Sequence, residues 1–207
     1  MGLWHRLAQQ FRQPSGLGGR MAGLLFRMIN REGINWTIAL LEIQPTDHVL
    51  EIGFGPGYGV QQVAKIAAHG NVAGVDFSAT MLQQASRRNA EAIASGRVEL
   101  RLGDASKLPY PDNSFHKVFA TNVAYFWKEP MATLHEIRRV MKPGGRLAVY
   151  LIAKEDIADF KVTQTGLYTL YTGEELVQLL QQAGFQNARF VTKVERLRTG
   201  ICALGEK

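Results

Sequence analysis

From residue 48 onwards, short apolar segments alternate with amphipathic segments that repeat apolar residues every three or four positions. The apolar segments predict strands and the amphipathic segments predict helices. The predicted strands cover residues 48–53, 72–76, 98–102, 117–121, 146–152, 188–194 and 197–203. The predicted helices cover residues 60–68, 80–94 and 131–141, with a fourth running from a capping box at Thr172 and Glu175 to Gly184. Strands separated by helices indicate an α/β fold with a mostly parallel, doubly wound sheet.

The start of the chain follows a different pattern. Two amphipathic segments flank a glycine-rich hinge, and a third helix is predicted to follow Asn35 as its cap and to end before Pro45. The three segments lie at residues 4–11, 21–29 and 36–44, and the hinge lies at residues 14–19. We therefore predict an N-terminal helical arm or lid over residues 1–45, followed by one domain over residues 46–207.

Positive charge is concentrated in this arm. Lysine and arginine outnumber aspartate and glutamate by 24 to 18, yet residues 1–31 hold five arginines and no acidic residue. The other residues therefore include 19 basic against 18 acidic side chains. This balance argues against a nucleic-acid groove across the domain, so nucleic acid is not an expected partner. A weak, local contact between the arm and a membrane surface or another anionic partner remains open.

Composition narrows the class of protein further. Hydrophobic residues make up 46% and charged residues 20% of the chain, as in globular domains. A single cysteine, Cys202, excludes a disulfide framework and a cysteine-based zinc cluster, and no metal is expected. No segment approaches the roughly 18 uninterrupted apolar residues of a membrane span, and the first residues lack the apolar core of a secretory signal. A cytoplasmic location is the expectation, and the oligomeric state is left open.

The first predicted strand runs into a glycine-rich loop at residues 51–57, with the sequence EIGFGPG. Glycines at alternate positions permit positive φ angles and let a ligand lie against the backbone. The dinucleotide pattern G-x-G-x-x-G fails because its sixth position is Tyr58, and the Gly-Lys-Ser/Thr of a phosphate P-loop is absent. The loop therefore predicts a ligand site that binds neither a dinucleotide nor a nucleoside triphosphate.

Two carboxylates are predicted at neighbouring strand ends beside this loop. Asp76 ends the second strand, and Asp104 follows the third. A carboxylate there is able to accept two hydrogen bonds from a ribose diol, and a second one suits an adenine amine. The same two acids would repel a pyrophosphate. The pair therefore favours a nucleoside without phosphate groups.

Four motifs in order resemble those of the class I S-adenosylmethionine-dependent methyltransferases, and the resemblance covers about residues 47–185. The motifs are EIGFGPG at 51–57, VDFS at 75–78, GDA at 103–105 with LPYPDNSF at 108–115, and LHEIRRVMKPGG at 134–145. Within the family, the chain is most similar to the branch that includes ubiquinone and menaquinone biosynthesis methyltransferases. The resemblance implies a Rossmann-like, seven-stranded sheet with its last strand antiparallel. It also implies S-adenosylmethionine as cofactor, S-adenosylhomocysteine as product, and a small-molecule or lipid-like acceptor.

The resemblance further implies which residues hold the cofactor. Glu51 would face the methionine amino group, Asp76 the ribose hydroxyls and Asp104 the adenine amine, with Phe77 and Met81 packing on the adenine. The full set of implied cofactor residues is Glu51, Gly53, Phe54, Gly55, Gly57, Asp76, Phe77, Met81, Asp104, Ala105 and Asn122.

Methyl transfer from a sulfonium requires the protein to align the acceptor, exclude water and sometimes take a proton. Aromatic faces stabilise the sulfonium charge. The aromatic candidates for the acceptor side are Tyr58, Tyr125, Phe126 and Trp127, with Phe160, Tyr168 and Tyr171 from a second wall at residues 153–171.

A general base is not identified by the sequence. Tyr125 and His116 are the candidates.

Two other function classes stay open as alternatives. The basic arm would suit a nucleic-acid or protein methyltransferase, and the Asn122-to-Tyr125 spacing matches an Asn-Pro-Pro-Tyr motif but lacks both prolines. The Tyr150-to-Lys154 spacing matches that of the short-chain, NAD(P)-dependent oxidoreductases. That pair needs a shared helix face, whereas the residues around Tyr150 predict a strand.

Overall fold

A computed structural model describes residues 2–15, 30–195 and 198–207. The strands are β1 His48–Ile52, β2 Asn71–Asp76, β3 Val98–Leu102, β4 Phe115–Thr121, β5 Met141–Ile152, β6 Gln186–Val194 and β7 Thr199–Glu206. The helices are α1 Leu3–Arg12, α2 Arg31–Leu40, α3 Tyr58–Ile66, α4 Ala79–Arg88, α5 Ala90–Ala94, α6 Pro130–Val140, α7 Lys154–Ile157 and α8 Gly173–Gln182. Short 3₁₀ turns lie at Ala124–Phe126 and Thr163–Thr165.

The strands form one seven-stranded sheet in the order β3-β2-β1-β4-β5-β7-β6. Strands β1 to β5 pair in parallel, and β7 is antiparallel to both β5 and β6. This confirms the predicted Rossmann-like sheet with its last strand antiparallel. The strand order reverses between β1 and β4, and open α/β sheets bind ligands beyond the carboxyl ends of the strands at such a point.

Two hydrophobic cores cover the two faces of the sheet. In β4, Val118 and Ala120 belong to one core and Phe119 to the other, and all three are fully buried. Helices α6 and α8 close the first core through Ile137 and Leu180, and α2, α3 and α4 close the second. Helices on both faces bury both sides of the central strands, which explains their nearly unbroken apolar sequences.

Helix α2 begins earlier than predicted, at Arg31 instead of after Asn35. Asn35 lies inside the helix, where its side chain accepts a hydrogen bond from the Tyr58 hydroxyl at 3.1 Å. Gly33, in the first turn, lies against the ring of Tyr150, and a Cβ at this position would collide with that ring. Close packing of this turn on the sheet therefore requires glycine at position 33.

The predicted helix at residues 80–94 is broken at Asn89 into α4 and α5. The side-chain amide of Asn89 donates to the carbonyl oxygens of Gly57 at 3.1 Å and Ala85 at 2.9 Å. A side chain that bonds nearby backbone carbonyls competes with regular helix structure. The break also ties α4 to the glycine-rich loop.

Strand β5 begins at Met141, five residues before the predicted start, and passes through the Pro143-Gly144-Gly145 segment. Phe115 and Lys117 are two positions apart in β4, yet they pair with Met141 and Arg146. The extra residues in β5 form an irregular bulge, and Gly144 has a φ of 73° there. The predicted turn is therefore a bulge within the strand.

The described part of the arm contains α1, as predicted. The second predicted segment, at residues 21–29, and most of the hinge lie outside the described residues. Within the described residues, none of the helices combines the length and the apolar character needed to cross a membrane.

Candidate active site

A cavity of about 690 Å³ lies at the carboxyl edge of the sheet. The loops after β1, β2, β3 and β4 and the end of α1 line one half of it, and the 3₁₀ turn after β4 and the segment after β5 line the other. Its volume falls in the range of small-molecule sites, which are about 300–1,000 Å³. We call these halves the loop half and the aromatic half.

The three glycines of the loop after β1 all have positive φ, with values of 69° for Gly53, 51° for Gly55 and 78° for Gly57. A Cβ on Gly53 would collide with Val123, and one on Gly57 would lie 2.7 Å from the Cβ of Ala85. A Cβ on Gly55 would meet no atom within 4 Å. Gly53 and Gly57 therefore allow close packing, whereas Gly55 presents bare backbone to the cavity.

Glu51 carries a buried carboxylate into the loop half. Glu51 is only 2% exposed, and its Oε2 has no hydrogen-bond partner among the residues that the structure describes. Burial raises the pKa of Glu51 well above its ordinary value, although a backbone hydrogen bond from Val60 lowers it in part. A buried carboxylate with an unsatisfied oxygen is costly, and a cationic group in the cavity would satisfy that oxygen.

Asp76 links two of the cavity loops. It is 7% exposed, and its oxygens accept backbone N–H groups from Gly55 and from Ser78, each at 2.8 Å. Burial raises the pKa of Asp76 to about 6, against those two hydrogen bonds. A carboxylate has about four lone-pair sites, so Asp76 is able to accept further hydrogen bonds from a ligand.

The other residues of the loop half sit at the ends of β2, β3 and β4. Phe77 is exposed and Met81 is buried, and both line the cavity. Asp104 is exposed and accepts hydrogen bonds from the backbone N–H of Ser106 at 2.9 Å and from its hydroxyl at 2.8 Å. Every predicted cofactor residue except Gly57 lines the cavity. Gly57 instead precedes α3 and packs against α4.

Asn122 joins this half to the arm. Its φ is 57°, which is unusual for a residue other than glycine. Its Nδ2 donates to the side chain of Asn30 at 3.1 Å, and its backbone N–H donates to the carbonyl of Tyr150 at 2.8 Å. Its buried Oδ1 has no partner within the described part of the chain. A ligand donor in the cavity would satisfy that oxygen.

Three aromatic rings form a cluster in the aromatic half. The ring centroids of Tyr125 and Tyr168 are 5.7 Å apart, and those of Phe126 and Tyr168 are 4.7 Å apart. Trp127 and Phe160 also line the cavity, as does Tyr58 at its rim. The predicted second wall is therefore present.

Tyr171 does not belong to this wall. It is buried in the core against α8, away from the cavity.

Neither candidate base is placed for proton transfer. The Tyr125 hydroxyl accepts from the backbone N–H of Ile152 at 2.7 Å and donates to its carbonyl at 3.1 Å, and burial raises its pKa. Tyr125 is therefore a wall of the cavity that secures the end of β5. His116 lies near the amino end of β4, where Nδ1 accepts from the backbone of His48 and Nε2 contacts Lys142. At roughly 3.3 Å per residue it is about 17 Å from the cavity edge of β4, which ends at Thr121, so His116 does not line the cavity.

The end of α1 closes over the loop half. The sequence predicted a helical lid but not this contact. Phe11, Arg12, Gln13 and Pro14 line the cavity. The Ser78 hydroxyl donates to the carbonyl of Pro14 at 2.6 Å, and the same oxygen caps α4 by accepting from Met81. Ser78 thus connects the arm to the turn that follows Asp76.

Comparison with known protein families and sequences identifies related proteins. A family model described as a methyltransferase domain matches residues 50–149. The uncharacterized methyltransferase YdaC of Bacillus subtilis is 30% identical over 187 residues, which cover 90% of this chain and 98% of that protein. The chain belongs to the class I S-adenosylmethionine-dependent methyltransferases.

Two further comparisons extend this assignment. A demethylmenaquinone methyltransferase of Lactiplantibacillus plantarum is 28% identical over 198 residues, covering 83% of this chain and 84% of that protein. The crystal structure of an S-adenosylmethionine-dependent methyltransferase from Aquifex aeolicus has the same fold, with a TM-score of 0.69 and 24% identity over 83% of this chain and 88% of that one. The cofactor of this methyltransferase is S-adenosylmethionine. The oxygens of Glu51 and Asn122 that have no partner among the described residues, beside the open backbone of Gly55, fit such a ligand.

The structure also places the two residues on which the oxidoreductase alternative depends. Tyr150 lies inside β5, where its hydroxyl donates to Glu195 at 2.7 Å, and Lys154 begins α7. The two residues share no helix face, as the sequence predicted. The cavity is also lined by residues that the sequence did not single out, among them Arg12, Asn30, Lys128, Glu129 and Arg198.

Proposed function

We propose that this methyltransferase transfers the methyl group of S-adenosylmethionine to a small-molecule acceptor in the aromatic half of the cavity. The observation that carries the proposal is that one cavity holds both the Glu51 carboxylate and the aromatic cluster of Tyr125, Phe126 and Tyr168. The relatives named demethylmenaquinone methyltransferases support a small-molecule acceptor.

In this proposal the loop half holds the cofactor. Glu51 pairs with the amino group, Gly55 lies against the methionine part, Asp76 accepts from the ribose hydroxyls and Asp104 from the adenine amine. The cofactor supplies a methyl group on an activated sulfonium. The protein therefore orients the two reactants, excludes water and leaves the sulfonium facing aromatic rings that stabilise its charge.

Residues 1–45 act as a lid over the domain at residues 46–207 in this proposal. The contact that supports it is the hydrogen bond from Ser78 to the Pro14 carbonyl, because Ser78 directly follows the loop that would hold the ribose and adenine. Lys161 also lies 5.8 Å above the ring of Trp4, beside the same cavity. Closing the cavity with the arm would keep water away from the reacting groups.

A single substitution tests the lid. Ser78→Gly removes the donor to Pro14 but keeps most of the helix-capping preference, because glycine caps within a few tenths of a kcal/mol of serine. Losing one neutral hydrogen bond should speed release of S-adenosylhomocysteine by roughly two- to tenfold, measured by stopped-flow fluorescence. Ser95→Gly, an exposed serine at the end of α5, is the control. Equal release rates for both variants and the unaltered protein would refute the lid.

A labelling experiment identifies the class of molecule that accepts the methyl group. The protein is incubated with methyl-labelled S-adenosylmethionine and fractionated cell extracts, and label is followed into small metabolites, lipids, RNA and protein. The proposal predicts label in a small-molecule or lipid fraction. Label confined to RNA or protein would support the alternative in which the basic arm recruits a macromolecule.

A further inference from the structure

Three buried oxygens without hydrogen-bond partners line the same cavity. Within the part of the chain that the structure describes, the buried side-chain oxygens that lack a partner are Oε2 of Glu51, Oγ1 of Thr121 and Oδ1 of Asn122. All three residues line the cavity. A buried polar atom without a partner is costly, so their concentration in one wall points to a ligand that supplies several donors. The contacts proposed above use Glu51 and leave Thr121 without a role.

The sheet turns the side chains of Glu51 and Thr121 to the same face. Glu51 of β1 pairs with Phe119 of β4 in parallel register, and Thr121 ends β4 two residues after Phe119. Side chains at alternate positions of a strand share a face, and Phe119 belongs to the core that α2, α3 and α4 close. Thr121 therefore reaches, from the neighbouring strand, the side of the sheet that carries the Glu51 carboxylate.

The side chain of Asn122 is held by a residue of the arm. Its Nδ2 donates to Oδ1 of Asn30 at 3.1 Å, and turning the amide over would place two carbonyl oxygens against each other. Asn30 also lines the cavity. It is the N-cap of α2, but its side chain makes no capping hydrogen bond, so the helix does not need its amide in order to begin. The contact with Asn30 therefore fixes the oxygen of Asn122 as an acceptor.

A primary ammonium matches this set of oxygens. It carries one positive charge and three N–H donors and accepts no hydrogen bond. The wall offers a carboxylate, a hydroxyl and an amide oxygen, each of which is able to accept. Hydrogen bonds from a charged donor are stronger than those between neutral groups, and the methionine part of S-adenosylmethionine carries such an ammonium.

We infer that Thr121 is a further cofactor-binding residue, whose hydroxyl accepts a hydrogen bond from the ammonium of S-adenosylmethionine, and that Asn30 is a positioning residue, which holds the Asn122 oxygen toward the same ammonium. The inference rests on the proposed function, because it places the cofactor in the loop half. It adds two neutral acceptors to the charged contact of Glu51, and it gives the arm a part in recognising the cofactor.

The test compares S-adenosylhomocysteine with desamino-S-adenosylhomocysteine, in which hydrogen replaces the amino group. Titration calorimetry gives the ratio of their two dissociation constants, which we call the amino preference. The unaltered protein should bind S-adenosylhomocysteine at least roughly a hundredfold more tightly, because the analogue loses several hydrogen bonds from one charged group. The two nucleosides are otherwise alike, so a substitution that only loosens the fold weakens both and leaves the amino preference unchanged.

Thr121→Val replaces the hydroxyl by a methyl group of similar size and should lower the amino preference roughly tenfold. Thr121→Ser keeps the hydroxyl and should keep the preference. The matched control is Thr192→Val, which changes an exposed threonine of β6 outside the cavity and should change neither affinity.

Asn30→Leu removes the acceptor that holds the Asn122 amide and should lower the amino preference roughly two- to tenfold, as for one neutral hydrogen bond. Asn30→Asp keeps an oxygen for Nδ2 of Asn122 and should keep the preference. In an Asn122→Gly background, where no amide is left to orient, Asn30→Leu should have no further effect. Glycine suits this position because the φ of Asn122 is 57°.

A full amino preference in Thr121→Val or in Asn30→Leu would overturn the inference, and so would an equal loss of affinity for both nucleosides. If Glu51→Gln alone lost the preference, the carboxylate would bind the ammonium without the other two oxygens, and the inference would again be wrong. Failure of S-adenosylhomocysteine to bind the unaltered protein would instead overturn the proposed function, and the inference with it.

Discussion

Replacing Glu51 by glutamine is expected to stabilise the cofactor-free protein while weakening its affinity for S-adenosylmethionine. The Glu51 carboxylate is 2% exposed and has one oxygen without a hydrogen-bond partner among the described residues. Glutamine has nearly the same shape, and its carbonyl oxygen is able to keep the hydrogen bond from the backbone of Val60. The substitution therefore removes a buried negative charge and changes little else.

The two effects follow from the same charge. Burial raises the pKa of Glu51, and each unit by which a carboxyl pKa is raised corresponds to about 1.4 kcal/mol of stability lost when the group is ionised. Cofactor-free Glu51→Gln should therefore melt at a higher temperature at neutral pH. A hydrogen bond between charged groups contributes about 1.5–3 kcal/mol, so loss of the pair with the cofactor amino group should weaken binding roughly 10- to 150-fold.

Differential scanning calorimetry of the cofactor-free proteins and titration calorimetry with S-adenosylhomocysteine measure the two quantities. Glu91→Gln, at an exposed position of α5, is the matched control and should change neither value appreciably. An unchanged affinity in Glu51→Gln would refute the assignment of Glu51 to the cofactor amino group. A lower melting temperature would refute the view that the charge is unsatisfied in the cofactor-free protein.

Three further predictions concern other parts of the site. Burial raises the pKa of Asp76 from 3.8 to about 6, so its protonation stabilises the folded cofactor-free protein below pH 3.8, and about 3 kcal/mol of that stability is lost as the pH rises through 6. Cofactor affinity should instead increase as the pH rises, because the ionised carboxylate binds the cofactor. Calorimetric titrations from pH 3.8 to 6 that show a constant affinity would contradict the role of Asp76. Gly55→Ala should impair cofactor binding. The control is Gly96→Ala, which lies outside the cavity with a φ of 74° and equally open space around it, and which should lower only the melting temperature. Equal cofactor affinities of the two variants in titration calorimetry would refute the contact at Gly55. The lid proposal predicts little flotation with anionic vesicles at about 0.1 M salt; strong, salt-sensitive flotation that Arg6→Gln with Arg12→Gln abolishes would instead indicate recruitment to a membrane.

The sequence was sufficient for the central sheet and for the loop half of the cavity. Strands β1 to β4 are buried on both faces, so each reads as a short apolar segment between turn residues, and each lies within two residues of its predicted bounds. The loop half follows from local sequence as well, because the positive φ angles at Gly53, Gly55 and Gly57 require glycine and the acids Asp76 and Asp104 sit at strand ends.

Features that depend on contacts between distant segments were not predictable. The first turn of α2 packs through Gly33 on Tyr150, more than a hundred positions away. The Pro143–Gly145 segment reads as a turn but is held in β5, partly by the backbone bonds between Gly144, Gly145 and Lys207 at the end of the chain. The same reason applies to the cavity contacts of Arg198, whose orientation is set by Glu195 and by Tyr150 on another strand. The contact of Tyr150 with Glu195 joins residues 45 positions apart, so no local pattern signals it.

The most direct test of the central claim is a calorimetric titration of the unaltered protein with S-adenosylmethionine, S-adenosylhomocysteine, NAD and ATP under one set of conditions. We predict micromolar binding of the first two at one molecule per chain, because Glu51 and Asn122 each have a buried oxygen without a partner among the described residues and the acids of the loop half disfavour phosphates. We expect no measurable binding of NAD or ATP. Tighter binding of NAD than of S-adenosylmethionine would contradict the assignment of this cavity to S-adenosylmethionine.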